Sequence, residues 1–316
     1  MDKQLLSYLV ILFLATQLIG LFVGNEWIKA IELQPELRPT IVNDNPEDIS
    51  NSIGLIVYIL SFTAGMLIAI KLFKKKTFWI FKLLESLAVL GASWIVFVTV
   101  MPLELATTLS LLLILARFIF AKNLLLRNIA TILSVSGAGA FIGISLGVIP
   151  VLVFAVLLAV YDYIAVFKTK HMVTLAKNIV GKNLAFTFGL PSGVQEKEGK
   201  MELIEKEEPA MEAKAWPKKE LQTVTQKKGQ FHLFELGAGD MVIPLVFAVS
   251  VLGEAKLAHA FPIYWISPAL ILLASLIGLI ATMVIAERKI GRALPALPLQ
   301  TALMVLVWLG LAAIGF

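Results

Sequence analysis

Apolar stretches of about 18 residues or more recur along most of this chain, and no other feature restricts its fold so severely. A hydrocarbon layer cannot hydrogen-bond a backbone, so each run must satisfy its own amides and carbonyls, which a helix does. The 316 residues are 59% hydrophobic with a mean hydropathy of +0.87, and a soluble chain of this length would expose polar helix faces that lower that value. The spans are predicted at residues 5–23, 53–72, 78–100, 103–121, 127–147, 149–167, 235–253, 267–286 and 294–315. This is an all-α, polytopic membrane protein of nine transmembrane helices. Lys3 before the first run would suit a signal peptide, but the run is long for one and no A-x-A site follows it.

The loops sort by charge. Lys71, Lys74, Lys75 and Lys76 follow the second span, Lys122 and Arg127 the fourth, Lys168, Lys170 and Lys177 the sixth, and Arg288, Lys289 and Arg292 the eighth. Odd-numbered loops are poor in such residues, and the first, 24–52, is acidic. Basic residues mark cytoplasmic loops, so the N-terminus is expected inside and the C-terminus, after nine crossings, outside. The basic excess then reports orientation, and no nucleic-acid partner is implied. A plasma membrane is the simplest location for a chain without other targeting signals. Between spans six and seven, "EKEGKMELIEKEEPAMEAKAWPKKE" alternates charge without an apolar stripe and reads as a flexible cytoplasmic linker. Three parts result: six helices over 1–167, the charged loop 168–233, and three helices over 234–316. The chain has no cysteine, which excludes disulfides, zinc–thiolate sites and a thiol nucleophile; no metal or cofactor is called for.

Ionisable residues inside spans are expensive, about 2.5–3.5 kcal/mol near the middle, and are therefore informative. Lys82 and Glu85 lie one helical turn apart and are expected to pair or snorkel. Glu104 follows Pro102 as a first-turn acid. Asp162 and Asp240 differ from these. One lies about five residues before the cytoplasmic end of span six, the other about five after the start of span seven, so each is roughly 7–8 Å deep. Carboxylates at matching depth on antiparallel helices can face each other. Two like charges a few ångströms apart cannot both ionise cheaply, so such a pair shares a proton. The ionised member can take a proton from water while the protonated one hydrogen-bonds the peptide carbonyl under attack. Placement alone also allows Asp240 as a helix cap and Asp162 as an ion ligand or proton relay.

The neighbouring residues add weight. Asp240 closes "ELGAGD", where Gly237 and Gly239 permit close backbone approach. "LPALPL", Leu294 to Leu299, opens the last span with two prolines that remove backbone donors at about the depth of the aspartates. Irregular backbone there must line a cavity or be buried in protein, and its free groups could hold a substrate as an added strand. Pro295 alone could be a first-turn proline, which leaves Pro298 awkward.

Together, Tyr161-Asp162, Gly237-Ala238-Gly239-Asp240 and Leu294-Pro295-Ala296-Leu297-Pro298 resemble, in order and spacing, the three signatures of the presenilin and signal peptide peptidase family, the GxGD intramembrane aspartyl proteases. The resemblance covers the nine-span layout and the long loop between the aspartate helices. It implies that Asp162 and Asp240 are the catalytic pair. It further implies that Tyr161, Gly237, Ala238, Gly239 and Leu294 to Pro298 help to form the active site and substrate groove, and that the substrates are transmembrane helices within the bilayer. Ala238 stands where leucine is frequent in animal relatives, a difference that bears on substrate preference. The inside N-terminus and the full PALP lean toward the presenilin branch. Presenilins work with accessory subunits and signal peptide peptidases act alone; the sequence does not choose between these, nor does it exclude a homo-oligomer.

Other constellations fare worse. "GISLG" (143–147) and "GASW" (91–94) imitate serine-hydrolase motifs, yet both lie in apolar helices, and His171, His232 and His259 all fall outside the spans. No H-E-x-x-H is present. Gly139, Gly143 and Gly147 at four-residue spacing read as helix packing in lipid. The alternative from another class is a cation channel or transporter using the same aspartates as ligands. An inverted-repeat transporter should show two related halves, which a six-plus-three partition with a single PALP does not.

Overall fold

A computed structural model describes residues 3–72, 77–120, 123–168, 187–191, 233–258, 261–288 and 295–315. Nine long helices appear among them: α1 (Lys3–Leu33), α2 (Ile49–Leu72), α3 (Thr77–Val100), α4 (Leu103–Ile119), α5 (Leu124–Ser145), α6 (Val148–Phe167), α7 (Gly239–Ala258), α8 (Ile266–Arg288) and α9 (Leu297–Ala313). Seven are long and apolar enough to cross a membrane by length and composition. The other two, α4 and α9, have 17 residues each, about 25 Å, the lower limit for a span.

The expected spans match these helices, with three instructive differences. The first helix continues ten residues past the predicted end to Leu33 and carries Asn25, Glu26 and Lys29 with it. Near 31 residues the helix is about 46 Å long, more than the hydrocarbon needs, so its polar last turns lie beyond it. The seventh begins at Gly239 instead of residue 235, and the ninth at Leu297 instead of 294. Both shifts occur beside the aspartates.

Apolar sequence cannot say which helices face lipid, because every span is apolar all round. Small and polar residues decide it. On α5, Arg127, Asn128, Thr131, Ser136, Gly137, Gly139, Ala140 and Gly143 are buried, and this helix packs against α1, α3 and α7. A methyl group on Gly139 would meet Leu245, and one on Gly143 would meet Val249 and the Val246 carbonyl of α7. The expected packing role of these glycines is thus observed; Gly147 instead faces the Glu47 carboxylate of the first loop. The other central helix, α7, is surrounded by α1, α5, α6 and α8. At the periphery α2 lies on α6 and α4 on α3, with most side chains of α2 at the surface.

Two strands, β1 (Thr187–Pro191) and β2 (Leu233–Gly237), pair antiparallel, with Thr187 opposite Gly237 and Pro191 opposite Leu233. Both borders of the segment read as a flexible linker therefore hold regular structure; residues 169–186 and 192–232 lie outside the described residues. Phe188 is wholly buried among Leu9, Phe13, Val135 and Met241, which fastens β1 to the bundle. "AFTFGL" places Phe186, Phe188 and Leu190 at period two, the signal that would have found β1, whereas Leu233-Phe234 breaks that alternation in "FHLFELG".

Glu85 adds a contact between helices that local spacing does not show. It pairs with Arg117 of α4, and the Lys82 ammonium sits 4.6 Å from the centre of the Phe118 ring. A buried carboxylate gains more from a guanidinium across a helix interface than from a lysine that can reach the surface. Glu104 lies in the first turn of α4 and is exposed, as expected.

Candidate active site

Asp162 lies five residues before the end of α6, as expected. Asp240 is in the first turn of α7, not a turn and a half inside it, because β2 runs almost directly into the helix. Ala238 caps that turn, its carbonyl accepting from the Met241 and Val242 amides at 3.1 Å each. The sequence measured Asp240 from a helix start that is in fact a strand. The two aspartates nevertheless meet: α6 packs on α7, and the carboxylates are close enough to interact electrostatically. Both side chains are half-buried.

The last helix completes this arrangement. Leu297 opens α9 and Pro298 is its second residue, where the missing N–H would have had no helical partner. Pro298 is therefore the first-turn proline, and Pro295 precedes the helix, whereas the alternative in sequence puts Pro295 in that turn. The Leu297 amide, one of the first-turn donors without an intrahelical acceptor, lies close enough to the Asp162 carboxylate to interact with it electrostatically. Leu297, Tyr161 and Val242 all pack against one apolar cluster built around Phe154, Val246 and Met304. Ala296 is buried in a second cluster with Met241, against which Ala238 packs. A methyl group on Gly237 would lie 3.6 Å from Asp240 Oδ2, and one on Gly239 would meet nothing within 4 Å. The glycines thus border open space beside a carboxylate. Leu294 lies outside the described residues. Of the other residues singled out in sequence, Tyr161 and Leu297 share one cluster, Ala238 and Ala296 another, Gly237 and Gly239 lead into Asp240, and Pro295 and Pro298 flank the start of α9.

The competing motifs are not assembled. Ser93 and Ser145 donate to carbonyls of their own helices, Leu90 at 3.3 Å and Phe141 at 2.6 Å. The three histidines lie outside the described residues. Among the described residues, no three His, Asp or Glu side chains converge as a metal site would need. A cavity of about 800 Å³ exists at the far end of the bundle, lined by the first loop, the α5–α6 junction and the end of α7, and neither aspartate reaches it. There burial, and secondly Glu254, raise the Glu47 carboxyl above its usual range.

Two residues beside the aspartates were missed in sequence. Gln300 of α9 donates to the Asp240 carbonyl at 3.3 Å, and Gln17 of α1 donates to the Met241 carbonyl at 2.9 Å. Both are buried glutamines in apolar helices, a signal as strong as that of the ionisable residues.

A family model described as signal-peptide peptidase, presenilin aspartyl protease matches residues 10–314. The chain belongs to that family. It is thereby an intramembrane aspartic protease and an integral, multi-pass membrane protein. Two solved structures of a presenilin family intramembrane aspartate protease, in C222 and P2 crystal forms, share its fold. The first aligns with a TM-score of 0.58 at 19% identity, covering 96% of this chain and 95% of that one. The second aligns at 0.54 and 19%, covering 95% and 96%. Comparison with curated proteins gives no match.

Proposed function

We propose that Asp162 and Asp240 form the catalytic dyad of this intramembrane protease and that it cleaves peptide bonds within single-span transmembrane helices. The observation that carries the reading is a convergence. Three helix ends bring two carboxylates and a first-turn amide facing one of them to one place: the end of α6, the start of α7 and the start of α9. The pair holds one proton between them. Its ionised member takes a proton from water as the oxygen attacks the scissile carbonyl, and its protonated member donates to the developing oxyanion. The titration belongs to the pair, so neither role is tied to one residue. Gly237 and Gly239 leave room for an extended peptide, which a helical substrate must become before its carbonyl can be attacked. Among the described residues the sheet leading into Asp240 has two strands, and an unwound substrate segment can add to an outer edge.

The test is incubation of the purified protein with a transmembrane-helix substrate. Asp162→Asn and Asp240→Asn are each expected to reduce cleavage by about 10³-fold or more while leaving the protein folded. Cleavage that persists in both variants would overturn the dyad.

A further inference from the structure

Pro244 lies inside α7, four residues after Asp240. In a regular helix the amide of residue 244 would donate to the carbonyl of residue 240; proline has no amide, and its ring pushes that carbonyl away from the axis. The Asp240 carbonyl is therefore left without its helical donor at the turn that carries the carboxylate. Gln300 Nε2 supplies one from α9 at 3.3 Å. Gln300 is wholly buried and its backbone is closely held: a methyl group on Gly278 of α8 would lie 2.9 Å from Gln300 Cα. The same helix, α9, sets its Leu297 amide close to the Asp162 carboxylate. One rigid element thus touches both aspartates, one through its first-turn amide and the other through a side-chain amide on the backbone.

We infer that Gln300 is a positioning residue, replacing the hydrogen bond that Pro244 removes and so fixing the Asp240 turn against α9. The inference rests on the reading of Asp240 as catalytic. Gln17 provides the contrast. It donates to the Met241 carbonyl, whose helical donor, the Leu245 amide, is present, so Gln17 adds a bond where Gln300 substitutes for one.

The experiment is a double-mutant cycle with Gln300→Met, which keeps length and loses the donor, and Pro244→Ala, which restores the helical amide. In the native background Gln300→Met is expected to lower kcat about 10–100-fold with little change in KM, since a misplaced carboxylate impairs chemistry more than binding. In the Pro244→Ala background the same substitution is expected to cost less than about threefold, and the Tm losses should show the same coupling. If Gln300→Met alone does not fold, folding of the Pro244→Ala/Gln300→Met protein supports the inference, and failure of both overturns it. Equal losses in both backgrounds, no loss in the native one, or an equal dependence of Gln17→Met on Pro244→Ala would overturn it as well. Should Asp240→Asn retain cleavage, the dyad fails on its own, while coupling in Tm still reports the bond.

Discussion

Gly91 and Gly137 are both glycines in membrane helices, and a methyl group added to each has opposite expected consequences. At Gly91 it meets nothing within 4 Å; at Gly137 it would lie 1.9 Å from the Ala92 carbonyl oxygen on the facing helix. Backbone cannot yield as a side-chain tip can. Gly137→Ala is therefore expected to force α3 from α5 and destabilise by about 1–3 kcal/mol. Gly91→Ala is expected to be neutral or to stabilise by up to about 1 kcal/mol through reduced chain entropy. Thermal unfolding of the two variants in detergent checks both, and equal Tm values would contradict the close crossing. The sequence marks both residues as helical glycines. Only the facing helix distinguishes them.

Among the elements, the α3–α4 pair shows how a buried charge is kept. Glu85 and Arg117 form an ion pair with side chains 5% and 10% exposed. Removing one partner strands the other in a medium that solvates it poorly, so Arg117→Met is expected to cost about 3–5 kcal/mol. Replacing both, as Glu85→Met with Arg117→Met, removes the stranded charge along with the pair and is expected to regain most of that loss. A chemical-denaturation series on the three variants tests this, and a double variant no better than Arg117→Met would refute it. The same scale explains why Asp240 was placed too deep in sequence. The step from strand to helix falls within "FELGAGD", where apolar residues continue across the boundary, so hydropathy alone starts the span four residues early.

At the scale of the whole molecule, we propose from the distribution of Lys and Arg among the loops that the N-terminus is cytoplasmic, the C-terminus external and the aspartates reached by water from inside. The chain is naturally free of cysteine, so single cysteines placed in the α2–α3 loop and in the 24–52 loop report without background. Membrane-impermeant thiol labelling of right-side-out vesicles is expected to modify the 24–52 position and spare the other. The opposite pattern would invert the orientation.

The sequence by itself determined the helical class, the nine spans and the two aspartates, because burying peptide groups or charges in hydrocarbon costs so much that only a few residue patterns survive it. It was silent on which helices lie inside, since lipid and protein interior select the same apolar residues. It set Lys82 beside Glu85, to pair or to snorkel, because a helix puts residues three apart side by side, whereas Arg117, which pairs with Glu85, comes from another helix. Likewise Pro244 shows in sequence that the Asp240 carbonyl lacks its helical donor. That Gln300, 60 residues away, supplies the replacement was decided by the packing of α9 on α7 and α8. Local periodicity and transfer cost can be read from the chain alone, but contacts between distant segments depend on how the helices pack.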